Sequence, residues 1–243
     1  MFTPIGFYAA AAGGGFGGVT DGLQMSFEAK EGSSFTDTSG NGITFTRSAE
    51  TNGGIQHLSP DTGSSWFFNA STTVDTNYVD TSYVPGNMTN GWSVCFIARW
   101  DVPNPSQTNQ GFVWSAYDTW PSDGFVAWYN PFSENFVKQT QLLNGSEAEH
   151  EHDAGSSLRH KWLMLSQTHN GTTLKQYVNG TEVSSLGLLA TPNVSSTMKI
   201  HYMPQGANSY DMQIGAFAFY NKTLSGAEIT TNYTYFQNDY TGL

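Results

Sequence analysis

The sequence predicts an all-β antiparallel sandwich or jelly roll with one short C-terminal helix and an extended N-terminal arm. Three observations carry this. Apolar residues recur with a period of two in nearly every segment after residue 20, the spacing that lines one face of a strand. Asn170-Gly171 and Asn179-Gly180 stand between such segments, and these residue types accept the positive φ of tight hairpin turns. A single segment, beginning at Leu224, has helical spacing behind an S-x-x-E box formed by Ser225 and Glu228.

The chain opens MFTPIGFYAAAAGGGFGG. A secretory signal needs a basic start and an apolar core of about 7–15 residues. Here no Lys or Arg precedes Lys30, and Pro4 and Gly6 interrupt the apolar run. The stretch reads instead as a retained arm. Phe2, Ile5, Phe7 and Tyr8 form an apolar tip, and the glycine tract 13–18, broken by Phe16, is a flexible tether. Residues 1–20 are thus the arm, and 21–243 a single β-domain of a length that sandwiches reach undivided.

The strands follow in order. GLQMSFEA puts Leu23, Met25 and Phe27 on one face, and ITFTR (43–47) and SWFFN (65–69) come next. In GWSVCFIARW, Trp92, Val94, Phe96, Ala98 and Trp100 share one face and Ser93, Cys95, Ile97 and Arg99 the other. The second face is mixed, so both sides of this strand are expected to be covered. Further strands are GFVWSA (111–116), GFVAWY (124–129), ENFVKQTQ (134–141), KWLMLSQTH (161–169), TLKQYVN (173–179), TEVSS (181–185), MKIHYM (198–203) and MQIGAFAFY (212–220). Gly40-Asn41-Gly42 and Asn52-Gly53-Gly54 mark turns, and residues 102–110, with two prolines, a loop within the domain. In the helix, Ser225 and Glu228 can each satisfy a backbone donor. Ile229 and Tyr233 fall four apart, with Leu224 placed against the first turn.

Aromatic residues make up 14% of the chain and charged residues only 12%, so Ser, Thr, Asn and Gly must cover the surface, as in many extracellular and virion β-proteins. The formal net charge of −11 argues against a nucleic-acid partner, whose phosphates favour Lys/Arg patches. No apolar run approaches the ~18 residues of a membrane span, so no membrane insertion is expected. A single cysteine, Cys95, excludes an intrachain disulfide and is expected to pack as a small hydrophobe. Asn-x-Ser/Thr triplets at Asn69, Asn87, Asn144, Asn170, Asn179, Asn193, Asn221 and Asn232 are common by chance in so Asn- and Thr-rich a chain.

The ordered motifs resemble the laminin-G-like branch of the concanavalin A-like lectin/glucanase superfamily. GLQMSFEA followed by FTDTSGNGITFT is similar to the family's first strand and Asp-x-Ser-Gly-Asn-Gly turn. WFFNASTTVDTNYVDT resembles the strand pair before a long core strand, here GWSVCFIARW. KWLMLSQTHNGTTLKQYVNGTEVSS is similar to its Trp strand and Tyr-Val-Asn-Gly hairpin, and MQIGAFAFYNKTLSGAEITTNY to its closing strand and capped helix. The resemblance covers roughly residues 21–238 and implies a two-sheet jelly roll with a concave face. It leaves function open, because the superfamily includes lectins, structural modules and glucanases.

The sequence offers residues for three site chemistries. Retaining glycosidases need two carboxyl groups about 5–5.5 Å apart, and EAEHEHD offers Glu147, Glu149, Glu151 and Asp153 at alternate positions. With no apolar support and glycine-serine flanks, this stretch reads as a solvated acidic loop, and no catalytic residue is assigned. His150 and His152 within it are donor types suited to zinc, but with no other compact ligand group. The resemblance implies calcium at a sandwich rim. Asp75, Asp80, Asp118 and Asp123 lie in apparent loops without a spacing that selects among them, so the metal ligands stay unassigned. A glycan surface fits better. Sugars pair apolar C–H faces with hydroxyls and suit aromatic planes beside carboxylates. WSAYDTWPSDGFVAWYN gathers Tyr117, Asp118, Trp120, Asp123, Trp128 and Tyr129 around a hairpin turn at 121–124. Trp114 and Trp128 have sheet packing as the competing role.

The apolar tip and glycine tether before a jelly roll resemble virion-associated proteins of tailed bacteriophages. The expected function is accordingly a non-catalytic virion surface protein, a capsid decoration or fibre component with a lectin-like domain. Its expected partners are other virion proteins, its own copies in a homo-oligomer, and a cell-surface glycan. The alternatives are an exported carbohydrate-binding or adhesion module and, third, a glycoside hydrolase or lyase.

Overall fold

Two antiparallel sheets face one another across an apolar core in the computed structural model, which describes residues 15–48, 54–59, 63–68, 77–99, 111–117, 124–130, 136–143, 146–153, 161–187, 193–202, 211–240 and 243. The strands are β1 (Leu23–Glu28), β2 (Phe45–Arg47), β3 (Ile55–Leu58), β4 (Ser65–Phe68), β5 (Val79–Thr81), β6 (Gly86–Asn87), β7 (Trp92–Arg99), β8 (Gly111–Tyr117) and β9 (Gly124–Asn130). There follow β10 (Phe136–Leu143), β11 (Ser146–Asp153), β12 (Leu163–His169), β13 (Thr173–Val178), β14 (Thr181–Gly187), β15 (Asn193–Val194), β16 (Lys199–Ile200), β17 (Met212–Tyr220) and helix α1 (Gly226–Gln237). The back sheet runs β14-β13-β12-β7-β17-β4-β3, with β1 also on β17, and the front sheet runs β11-β10-β9-β8-β16-β5-β2. Strands β6 and β15 form a small ribbon. This is the two-sheet jelly-roll sandwich that the alternation predicts.

At the centre of the back sheet, β7 and β17 pair with Phe96 opposite Phe217 and Val94 opposite Phe219. These four side chains, with Trp92, Met25, Phe27, Trp66 and Phe68, fill the space between the sheets. On the other face, Cys95, Ile97, Ala218 and Tyr220 form a second apolar cluster with Met164, Leu224, Ile229 and Phe236. Both sides of the β7 strand are therefore covered, as its mixed faces predict. Each fully buried Phe or Ile contributes about 1.5–3 kcal/mol, so two such layers supply most of the driving force. Cys95 is fully buried, and that burial pushes its thiol up to about 11, consistent with a packing role.

Helix α1 is the lid of the second cluster. Ser225 Oγ accepts the Glu228 N–H at 3.3 Å and Glu228 Oε2 accepts the Ser225 N–H at 2.8 Å, which closes the capping box. The fully buried Asn232 donates to the Tyr220 hydroxyl (3.0 Å) and accepts the Val19 N–H at 2.8 Å. One amide thus ties helix, closing strand and N-terminal segment together. Asn232 also shows that an Asn-x-Thr triplet can be wholly internal. Asn170 and Asn179 are turn formers, with Asn170 Oδ1 accepting from the Thr173 N–H (2.8 Å) and Asn179 Oδ1 from the Met164 N–H (2.9 Å).

The N-terminal expectation needs correcting for residues 15–20. Rather than a free tether, this stretch is packed on the domain. Phe16 is 5% exposed, donates its N–H to Thr38 O at 3.0 Å, and sets its ring edge-on to Tyr235 at 5.3 Å. The strap lies so close to the helix that a Cβ on Gly17 would fall on the Tyr235 ring and one on Gly18 on Asn232 and Phe16. Here glycine serves close approach rather than flexibility. Phe2, Ile5, Phe7 and Tyr8 lie outside the described residues. Beneath the strap, Glu28 is 4% exposed, accepts from the Tyr235 hydroxyl at 3.0 Å and pairs with Lys30 at 3.0 Å. Burial pushes its carboxyl up against the opposing pull of Lys30 and Tyr235.

Two further departures concern strands. EAEHEHD is not a loop: it forms β11, an edge strand paired along its whole length with β10. Cross-strand pairing, which a single segment cannot reveal, overrides its lack of apolar residues. The strand expected over 198–203 shortens to Lys199–Ile200, because His201 turns into the left-handed region at φ 58°. The expected loop at 102–110 lies outside the described residues.

The Asp-x-Ser-Gly-Asn-Gly turn is held by its acid. Asp37 Oδ1 accepts from the Ser39 hydroxyl (2.6 Å), the Ser39 N–H (3.0 Å) and the Ser26 N–H (3.3 Å), and Oδ2 from the Ile43 N–H at 3.1 Å. Burial acts to raise the Asp37 carboxyl, but these donors outweigh it and hold the group below the usual range. A depressed acid stabilises above its unfolded pKa, near 4, and that contribution is lost as pH falls through the lower folded value. Asp37→Asn is expected to cost about 1–3 kcal/mol at pH 7. In urea titrations the gap to the native protein should close below about pH 4; a gap independent of pH would refute this role for Asp37.

Candidate functional site

The outer face of the back sheet is occupied by α1 and the 15–20 strap. The outer face of the front sheet carries polar side chains in register. Asp80, Lys199 and Ser115 occupy one cross-strand row on β5, β16 and β8. Their neighbours Val79, Ile200 and Trp114 form the adjacent row and are all buried in the core. Strict alternation thus turns the first three away from the core.

Around this row lies a cleft of about 460 Å³ lined by Ser115, Ser195, Ser196, Thr197, Lys199 and Tyr202, within the size range of small-ligand sites. Lys199 Nζ donates to Asp80 Oδ2 at 2.8 Å, and the Thr197 hydroxyl donates to Asp80 Oδ1 at 2.7 Å. The Tyr78 and Tyr202 rings meet edge-to-face at 4.7 Å. Lys199 Nζ lies 5.6 Å from the centre of Tyr78 and 5.4 Å from that of Tyr202, close enough for cation–π attraction. The ammonium is thus held by one carboxylate and two aromatic rings.

Tyr202 reaches this position through a break in parity. Met198 and Ile200 are buried and Lys199 is turned outward, so alternation alone would turn His201 outward as well. Its positive φ turns the ring inward instead: His201 is 1% exposed, packs 4.8 Å from Phe68, and donates Nδ1–H to Asn77 O at 2.8 Å. The next residue, Tyr202, then takes the outward position. Left-handed backbone in a non-glycine residue is uncommon and worth attention near a site.

Strand β8, which opens the sequence-predicted aromatic hairpin, borders this cleft. Strands β8 and β9 form the expected hairpin, with Tyr117 opposite Gly124, and β8 contributes Ser115 and Ala116 to the cleft wall. Tyr117, Trp128 and Tyr129 sit on these two strands, whereas Asp118, Trp120 and Asp123 lie outside the described residues. Trp114 is fully buried and belongs to the core, so packing is its role. Asp80, which the sequence places in an apparent loop, lies instead on β5 with both carboxylate oxygens engaged. Asp75 falls outside the described residues. Among the described residues, no group of three or more His, Cys, Asp and Glu is arranged to hold a metal ion. Tyr78, Lys199 and Tyr202 were not anticipated. NYVDT did signal that Tyr78 and Asp80 share a face, but the parity break at His201 hides the partnership with Tyr202.

No family model matches the chain, and a search of curated proteins finds no match. Solved structures do share the fold. The botulinum neurotoxin serotype G binding domain aligns at a TM-score of 0.68 with 16% identity, over 87% of this chain and 50% of that one. The binding domain of Paraclostridial Mosquitocidal Protein 1 aligns at 0.70 with 13% identity, over 89% and 53%. The binding domain of botulinum neurotoxin DC, solved in complex with SialylT, aligns at 0.67 with 20% identity, over 90% and 52%. This chain therefore spans about half the length of the structures it matches, and at these identities the likeness is one of fold.

His201→Ala is expected to leave the Asn77 carbonyl without its imidazole donor, at a cost of about 1–3 kcal/mol, and to release Tyr202 from its place over Lys199. Thermal unfolding reads the first effect. Tyr202 ring resonances that keep their native shifts in the variant would contradict the second.

Proposed function

We propose that the protein is a non-catalytic glycan-binding module whose ligand lies in the Tyr78–Tyr202–Lys199 cleft, with the β8–β9 hairpin as an adjoining wall. The observation that carries this reading is the pairing of two partly exposed tyrosine rings with a hydroxyl-lined, ion-paired cleft on the front sheet. Aromatic planes take sugar C–H faces, while hydroxyls and charged groups take sugar hydroxyls. Hydrolysis would need a second carboxyl group at about 5–5.5 Å. The described residues that line the cleft include no acid, and Asp80, beside it, is bound to Lys199 and Thr197. That structures sharing the fold include binding domains, one of them solved in complex with SialylT, supports a binding role. In this reading Tyr117 and Trp128, in the register of Ser115, extend the surface beyond the cleft with Asp118, Trp120 and Asp123, whereas Tyr129 falls in the register of the buried Trp114.

The double substitution Tyr78→Ala/Tyr202→Ala is expected to weaken glycan retention by about tenfold or more while the domain stays folded, since each aromatic contact is worth about 0.5–1.5 kcal/mol. Retention equal to that of the native chain would remove the cleft from the site. Tyr117→Ala/Trp120→Ala tests the adjoining wall in the same assay.

The finer reading is a virion surface protein, a capsid decoration or fibre component, that docks through Phe2, Ile5, Phe7 and Tyr8 and assembles with its own copies. Its support is the apolar tip ahead of a glycine tract. The solution mass of the full chain beside one beginning at Gly15 checks it, because that cut keeps the Phe16 strap. An oligomer lost on truncation is the expected result. Equal monomeric masses would favour an exported adhesion module instead.

A further inference from the structure

Resting on the glycan-binding reading, we infer that the cleft selects uncharged sugars and reads a pair of neighbouring hydroxyls through Lys199 and Asp80. The ammonium and the carboxylate lie 2.8 Å apart, with side chains 23% and 37% exposed, so both present unused hydrogen-bonding capacity to solvent side by side. An ammonium has three N–H donors and a carboxylate about four lone-pair positions. Their mutual bond and the Thr197 hydroxyl use only part of this. Two adjacent hydroxyls on a sugar ring match what remains: one accepts from Nζ, and its neighbour donates to an Asp80 oxygen. Each hydroxyl polarises the other through such a chain. The flanking rings of Tyr78 and Tyr202 restrict Lys199 to this position, which lowers the cost of ordering it on binding.

Charge decides against an acidic sugar. The described cleft lining carries Lys199 with Asp80 beside it, and its other side chains are uncharged, so the local formal charge sums to zero. A ligand carboxylate or sulfate close enough to bond Lys199 would also stand beside the Asp80 carboxylate, which Thr197 holds in place. That is like-charge contact in a partly desolvated setting. The chain as a whole, at −11, offers no long-range attraction to offset it.

The test is retention of the full chain on immobilised neutral hexose polysaccharides and on uronate- or sialate-bearing ones, at low and high salt. At least one neutral member is expected to be retained about tenfold more strongly than any acidic member, with little dependence on salt because no net charge is neutralised. Lys199→Met should abolish that retention. Asp80→Asn, which leaves an unbalanced cation, should weaken neutral binding and raise acidic binding. Preference of the native chain for acidic members, lost at high salt, would overturn this inference and leave the glycan reading intact. Neutral retention unmoved by both substitutions, in variants that unfold at the native temperature, would overturn the hydroxyl-pair role. Retention on no member would remove the glycan-binding reading, and this inference with it.

Discussion

Strands β7 and β17 lie side by side with apolar residues on both faces, and a sheet with two apolar faces needs a layer against each. The front sheet supplies one. The other must come from outside the sandwich, and the chain draws it from its two ends: Phe16 from the N-terminal strap and Ile229 and Phe236 from α1. The polar atoms brought inside by this arrangement find partners in Asn232, which joins the strap, the helix and Tyr220. Without that amide, the Val19 N–H and the Tyr220 hydroxyl would enter an apolar layer unbonded, and burying such groups is costly.

The same constraint distributes labour between the sheets. Once β7 and β17 are covered on both sides, their residues are committed to packing. Among the described residues of the front sheet, Val79, Ile200 and Trp114 face the core, and the outward row carries Asp80, Lys199 and Ser115. Alternation thus places charged and hydroxyl side chains at positions where the neighbouring residue is already anchored in the core. An ion pair placed there adds little to stability, since exposed pairs contribute about 0–1 kcal/mol. Its position beside two tyrosines is the feature on which the proposed glycan-binding role rests.

Much of the fold was legible because the information was local. Alternation located the long strands, the Asn-Gly pairs located the β12–β13–β14 hairpins, and Ser225 with Glu228 located the helix start. What escaped was non-local. The glycine tract read as a tether because its partners, Tyr235 and Asn232, lie more than two hundred residues away in the chain. β11 read as a loop because its support comes from pairing with β10. The site divides the same way. The β8–β9 hairpin was legible from its turn and its aromatic residues, whereas the cleft needs β5 and β16 brought together from segments about 120 residues apart, with a backbone inversion at His201 that residue type alone does not declare.

The strap and the cleft occupy opposite faces of the sandwich, which gives the molecule a back and a front. Tension on the chain upstream of Gly15 would enter at Phe16, pass into α1 through Tyr235 and Phe236, and reach β1 and β17 through Glu28 and Asn232. It would be carried by the most deeply packed part of the back sheet and would not be applied across the tyrosine cleft. A molecule so arranged could be held from behind while its front surface keeps its shape, so the proposed attachment and the proposed recognition would not compete for the same bonds.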